Sequence, residues 1–389
     1  MRRSRLMLQR LCDNYQPSAH RIGRMERMRV AYSLEQCWHR VPGGTATVAI
    51  EVARVLPGLR RDIELVGFAG RHSAAPQGAY QPPINIQQLA ISGPALYEAS
   101  MRFGWPKVES ATGKVDLLHC TSIIPFVSNA KLVATIHDLA FLKYPKFFSR
   151  RGNAVFRRSL KILLKRADML LCSSQSTLED CSEFGFSRDR LTHVPLGVNA
   201  PIVMTTRDQI KTRYSLPDSF LLFVGTLEPR KNLSRLIAAL ETLGDSVPEL
   251  VVVGATGWGD VTDSAKISSQ FKSRVRFAGF VQPSDLGAMY ASAEVLCYPS
   301  LMEGFGLPIL EAMSYGTPVV TSKGSSTQEV AGNAAVLVDP LDASSIASGV
   351  LQALSHKSEL SRLGLARASE MTWQATAAKT ADVYEQVVR

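Results

Sequence analysis

The sequence predicts an α/β chain of two facing halves, each built on a parallel sheet, with a cleft between them. Three observations carry this. Strand-length apolar runs alternate with helix-period segments from residue 28 onward. The alternation stops over residues 197–217 and then restarts. Two glycine-bearing loops each run from a strand into a helix, which is where doubly wound sheets bind ligands. With 389 residues, 46% hydrophobic and 20% charged, the chain can bury full cores, and disorder and collagen are excluded.

Residues 1–27 hold seven arginines against two acids without a clear period. They read as a basic tail, or as an over-long start with Met28 as the true beginning. Arg29–Leu34 reads as the first buried strand and Pro42–Gly44 as a turn. Thr45–Leu56 reads as a helix, with Val48, Val52, Val55 and Leu56 at helical spacing. Strands follow at Ile63–Phe68, Val115–Cys120, Lys131–Ile136, Ala167–Cys172 and Thr192–Val194, with a helix over Ser174–Phe184. This first unit spans 28–200. Gly197–Pro217, with two prolines and no apolar period, reads as a linker.

The second unit, 201–372, repeats the alternation. Strands are expected at Phe220–Val224, Glu249–Val253, Val275–Ala278, Val295–Tyr298, Pro318–Thr321 and Ala335–Val338. Helices are expected at Asn232–Leu243, Pro283–Ala291, Pro308–Ser314, Ala343–Leu354 and Ser358–Ser369. A last helix covers Trp373–Val388. Trp258 and Trp373 read as core or interface residues.

The net charge of +10 is unevenly placed. Residues 1–200 carry 28 Lys/Arg against 15 Asp/Glu, and residues 201–389 carry 16 against 19. A basic half suggests a polyanionic partner. No nucleic-acid reader motif or stacking aromatic series is present, which argues against nucleic acid. Phe147–Arg166 is the densest basic stretch, with Arg150, Arg151, Arg157, Arg158, Lys161, Lys165 and Arg166 interleaved with apolar residues. It fits two readings equally: an amphipathic helix on an anionic membrane surface, or a solvated helix packed on its own domain by its leucines. Six cysteines without a C-x-x-C pair suggest reduced, buried thiols and a cytoplasmic location. No run of eighteen apolar residues exists to span a bilayer.

The most informative segment is Glu303-Gly-Phe-Gly-Leu-Pro-Ile-Leu-Glu311, between a strand and a helix. Gly304 and Gly306 allow close backbone approach, Pro308 suits the first helical turn, and free N–H groups there favour a phosphate. Glu303 and Glu311 can accept hydrogen bonds from sugar and ribose hydroxyls. A second segment, Phe223-Val-Gly225-Thr-Leu-Glu-Pro-Arg230-Lys231-Asn232, also leaves a strand and opens a helix. The fork of Arg230 and the point charge of Lys231 suit a diphosphate.

These segments, with Pro-Gly-Gly44, His137-Asp138-Leu139, Ser173-Ser174-Gln-Ser176 and Gly316-Thr-Pro-Val-Val320, resemble the retaining glycosyltransferases of family 4, which have the GT-B fold of two facing Rossmann-like domains. His-Asp-Leu-Ala-Phe-Leu is similar to bacterial polysaccharide mannosyltransferases. The resemblance implies that Arg230 and Lys231 hold the nucleotide diphosphate, Glu311 the ribose and Glu303 the donor sugar. It implies that backbone N–H groups of Phe305, Gly306 and Leu307 reach sugar and phosphates, and that the Gly225 and Gly304 loops belong to the same donor site. Gly44 would let the first loop approach the diphosphate, Phe280 and Val281 would line the base, and His137 would reach sugar and acceptor. Asp138 either joins it or caps the following turn. The last helix would cross back to the first domain.

The expected function is transfer of a hexosyl group, mannosyl by resemblance, from a nucleotide sugar such as GDP-mannose to a glycan or lipid-linked glycan. Preplaced Arg230, Lys231 and helix-start N–H groups would stabilise the leaving diphosphate. With no Asp-x-Asp in the chain, no metal or other cofactor is expected. Retention implies attack from the leaving-group face, with a phosphate oxygen taking the proton; a covalent intermediate ranks second. The competing readings are a non-catalytic sugar-nucleotide binder and an enzyme acting on the nucleotide sugar itself, such as an epimerase. The expected location is cytoplasmic, at the inner face of the plasma membrane if the basic helix binds lipid.

Overall fold

A computed structural model describes residues 27–39, 42–76, 78–255 and 269–389. The basic tail up to residue 26 and Trp258 lie outside them. Seven strands form the first sheet: β1 (Met28–Ser33), β2 (Ile63–Ala69), β3 (Ile86–Gln88), β4 (Leu117–Cys120), β5 (Lys131–Ile136), β6 (Met169–Cys172) and β7 (Leu191–His193). Six form the second: β8 (Phe220–Val224), β9 (Glu249–Val253), β10 (Val275–Gly279), β11 (Val295–Tyr298), β12 (Val319–Ser322) and β13 (Val336–Val338). All pairings are parallel. The orders are β3-β2-β1-β4-β5-β6-β7 and β10-β9-β8-β11-β12-β13. Both reverse direction at one point, between β1 and β4 and between β8 and β11, and each reversal opens a crevice at the strand ends.

The central strands are buried on both faces because helices cover both sides. All five residues of β8 and all four of β11 are buried. Each such aliphatic or aromatic side chain contributes about 1.5–3 kcal/mol relative to exposure. Two apolar clusters flank each sheet.

Several elements differ from expectation, among them the following three. Edge strand β3 is three residues, Ile-Gln-Gln, with one half-buried position, too short for a visible pattern. The helix Gly93–Phe103 was not anticipated. Within the expected linker, Arg207–Tyr214 is a helix, opened by a capping box of Thr206 and Gln209. It buries only Ile210, so it has no apolar period to read. Polar contacts hold it instead: buried Asp285 accepts hydrogen bonds from Tyr214 Oη (2.7 Å), from Thr205 Oγ1 (2.7 Å) and from Arg213.

The helix Arg150–Arg166 uses its apolar face internally. Leu160 and Leu163 are buried in the first core, with Phe156 and Leu164 packed against it. These contacts are those of a helix packed on its own domain by its leucines. Arg150, Arg151, Arg157, Lys161 and Lys165 remain exposed. Arg158 is half-buried and pairs with Glu98 at 3.0 Å. Among the described residues no helix is long and apolar enough to cross a membrane.

The chain passes between the sheets twice, side by side. Val198 bridges Thr372, and a Cβ on Gly197 would lie 2.2 Å from the Thr372 carbonyl carbon. Beyond that crossing, the helix Trp373–Val388 lies on the first sheet, where Tyr384 Oη and buried His119 Nδ1 are 2.6 Å apart. Burial pushes the His119 pKa down to about 3, so it stays neutral there. The five described cysteines are buried and free.

Candidate active site

The second crevice, between the ends of β8 and β11, holds a buried ion cluster. The chain leaves β8 through Gly225 and makes a single 3₁₀ turn, Pro229–Lys231, ahead of the helix Leu233–Leu243. Gly225 adopts φ +153°, and the stem of Lys231 passes 3.5 Å from where its Cβ would stand. From β11 the chain runs through Pro299 to Glu303. Glu303 meets both cations: Lys231 Nζ lies 2.7 Å from Oε1, and Arg230 Nη1 lies 2.8 Å from Oε2. Arg230 Nε also pairs with buried Glu228 at 2.7 Å. Lys231 donates to Tyr298 Oη at 2.5 Å, with its ammonium 4.9 Å from that ring centroid. Arg230 and Lys231 are thus a buried, paired cluster and not a solvated surface pair.

The electrostatics follow from burial plus pairing. Burial alone would raise the Glu303 pKa, but the charges of Lys231 and Arg230 override it and hold it at about 2. Burial pulls the Lys231 pKa down against the opposing pull of Glu303. Burial also works against the Arg230 charge, but Glu303 and Glu228 outweigh it and keep the guanidinium protonated. Two cations face two carboxylates, so an incoming diphosphate could draw on Arg230 and Lys231 without either having to be gathered from solvent.

Glu311 stands one turn inside the helix Leu307–Ser314. Burial raises its pKa, and it accepts a hydrogen bond from Tyr290 Oη at 2.7 Å. Gly306 caps that helix in the left-handed region. Phe305 packs its ring in the core, leaving its backbone as the part that could reach a ligand. Val281 is likewise buried in the core, whereas Phe280 beside it is 59% exposed. Of the pair expected at the base, only Phe280 presents a side chain.

The first domain contributes from the ends of β1 and β5. Gly44, in the first turn of the helix Gly43–Leu59, faces the start of the helix Leu307–Ser314: its added Cβ would stand 3.6 Å from Leu307 Cδ1. The first turns of two helices thus come close together across the cleft, and each helix N-terminus carries a partial positive charge. His137 follows β5, and its Nε2 lies 3.3 Å from the Thr121 carbonyl. Burial lowers its pKa. Asp138 accepts from Ala140 N–H at 2.9 Å and caps its own turn. Gly304 is needed for the other domain: a Cβ there would be 2.0 Å from the His137 carbonyl oxygen.

The sequence reading missed Tyr298 and Glu228 as members of the cluster. Tyr298 ends strand β11, and a polar residue at the carboxyl end of a strand beside the switch point is the signal that could have found it. Among the described residues no three His, Cys, Asp or Glu side chains gather to hold a metal ion.

Two family models cover the chain: Glycosyltransferase Family 4 over residues 42–200 and Glycosyl transferases group 1 over residues 206–368. An O-antigen chain mannosyltransferase B of Escherichia coli is 32% identical over 267 residues, which are 66% of this chain and 70% of that protein. The chain is a family 4 glycosyltransferase. This glycosyltransferase is also 30% identical over 275 residues to an MMP alpha-(1->4)-mannosyltransferase of Mycolicibacterium hassiacum, covering 66% of each. Its fold matches that of Anabaena HepE, crystallised with UDP-glucose, at a TM-score of 0.70 and 17% identity, over 92% of this chain and 100% of that one. The two-sheet architecture of the glycosyltransferase is GT-B.

Proposed function

We propose that the enzyme moves a mannosyl group, from GDP-mannose in preference to other donors, onto a glycan or lipid-linked glycan, with retention and without a metal ion. The observation that carries this is the convergence of Arg230 and Lys231 on Glu303 at the β8–β11 switch point, facing Gly44 and His137 of the other domain. The names of the relatives, O-antigen chain mannosyltransferase B and MMP alpha-(1->4)-mannosyltransferase, support the sugar. The UDP-glucose in HepE supports a nucleotide sugar as donor.

In this reading the diphosphate takes Arg230, Lys231 and the helix-start N–H groups of Phe305, Gly306 and Leu307. Glu303 turns from its counter-ion role toward the sugar hydroxyls, and Glu311 accepts from the ribose. As the anomeric bond breaks, the two cations stabilise the charge growing on the diphosphate, which is the work a metal does elsewhere. The acceptor attacks from the same face, and its proton passes to a phosphate oxygen. His137 orients the sugar and the acceptor. A panel of nucleotide sugars, assayed for nucleotide release with chelator present, tests the reading. Release is expected to be fastest with GDP-mannose and unaffected by chelator. No release from any donor, or complete dependence on added metal, would contradict it.

The lipid-linked form of the acceptor and a place at the inner face of the plasma membrane rest on charge alone, through Arg150, Arg151, Arg157, Lys161 and Lys165. Each cation near an anionic leaflet contributes about 1 kcal/mol. Arg151→Glu with Arg157→Glu should therefore weaken co-sedimentation with phosphatidylglycerol vesicles at least tenfold. Unchanged sedimentation would remove the membrane from the proposal.

A further inference from the structure

The segment Ser173-Ser174-Gln-Ser176 lies where the two domains are fastened together. Buried Ser173 carries one hydroxyl proton and stands between two carbonyl oxygens: His137 O of its own domain at 2.9 Å and Gly304 O of the other at 3.0 Å. Thr177 Oγ1 reaches the same two oxygens at 3.0 and 3.4 Å. Ser174 caps the helix Gln175–Phe184 and donates to Thr177 Oγ1 at 2.9 Å. Between them, the two hydroxyls satisfy a pair of carbonyls that the domain contact has taken out of water.

A second contact lies along the same seam. Glu329 belongs to the short helix Ser326–Ala331 of the second domain. Its two carboxylate oxygens accept from the Gln175 N–H at 3.0 and 2.9 Å, so a carboxylate from one domain caps the helix N-terminus of the other. His193 Nε2, at the end of β7, lies 3.0 Å from the same carboxylate. Arg367 holds the backbone under Glu329 by donating to its carbonyl and to that of Val330.

We propose that Ser173 and Glu329 form a clasp that sets the Glu303–Gly304 loop against the His137 turn, and that both are positioning residues for sugar transfer. This rests on the reading that Glu303 and His137 act on the same sugar from opposite domains. The donor cluster of Glu303, Arg230 and Lys231 is assembled within one domain, so the clasp leaves it intact when open. What the clasp adds is the register between the two domains. A displacement of about 1 Å between reacting groups can cost about 10²-fold in rate.

Ser173→Ala and Glu329→Ala test this against wild type, with Ser173→Thr as the rescue. The readouts are transfer kcat, titration of GDP and UDP by calorimetry, and Tm. Each alanine variant is expected to lower kcat about 10²-fold, with nucleotide Kd within about twofold of wild type and Ser173→Thr restoring most of the rate. Wild-type kcat in both alanine variants, or a fall in Tm alone, would overturn the clasp. So would nucleotide affinity falling in step with kcat. A wild-type enzyme that transfers no sugar while binding nucleotide would instead count against the proposed function.

Discussion

Lys231→Ala is expected to lower sugar-transfer kcat by about 10³-fold. Lys231 is the buried cation at the switch point, and its ammonium is already fixed by Glu303 and Tyr298. A fixed charge needs no reorganisation when the diphosphate leaves, which is why its removal acts mainly on the transition state. The substitution also breaks a buried ion cluster. Glu303 would keep Arg230 alone, and removing one partner of such a pair costs about 3–5 kcal/mol. Kinetics are therefore to be measured well below the Tm of the variant, with calorimetry reporting the folded fraction. Turnover near wild type from folded Lys231→Ala protein would remove the cluster from the mechanism.

Glu303→Gln is expected to cost at least about 10²-fold in kcat and to change the acid limb of stability. The Glu303 pKa is about 2 in the folded chain against an ordinary 4.5. A depressed carboxylate contributes its full stabilisation above the unfolded value and loses it as pH falls through the folded one. Wild-type Tm should thus fall between about pH 4.5 and pH 2, with Glu303 contributing about 3 kcal/mol of that change. Glutamine cannot titrate, so the variant starts less stable at neutral pH and shows a shallower acid slope. Parallel Tm curves for wild type and variant from pH 6 to 2.5 would show that Glu303 is not the charged partner of Lys231.

The apolar runs made most of the fold readable. Lys131–Ile136 and Phe220–Val224 are strands over the bounds their composition suggests, because central strands of covered parallel sheets are apolar throughout. Elements held by few or polar contacts were not readable. The helix Arg207–Tyr214 buries one residue and otherwise rests on Asp285, more than seventy positions away. The amphipathic pattern of Arg150–Arg166 was visible, but not what its apolar face touches; the protein core and a bilayer ask for the same pattern.

The site divides along similar lines. Residue types and their place after strands mark Arg230, Lys231 and Glu303 as candidates in two separate loops, and the family resemblance joins them in one donor site. Their mutual pairing, and the joining of Tyr298 and Glu228 to them, needs the crevice to bring two loops together. Gly304 illustrates the limit: a glycine beside a glutamate in a strand-to-helix loop suggests close ligand approach, whereas its missing side chain makes room for the His137 carbonyl. The contacts of Ser173 with Gly304 and of Gln175 with Glu329 join residues 131 and 154 positions apart, and no local pattern announces them.

Arg230 and Lys231 are expected to bind the diphosphate that leaves the donor sugar. Calorimetric titration of GDP and UDP into wild type, Arg230→Met and Lys231→Met, each in the presence of chelator, tests it most directly. Wild type is expected to bind nucleotide without metal, and each variant at least tenfold more weakly. Equal affinity across the three proteins, or wild-type binding that appears only when a divalent ion is added, would contradict it.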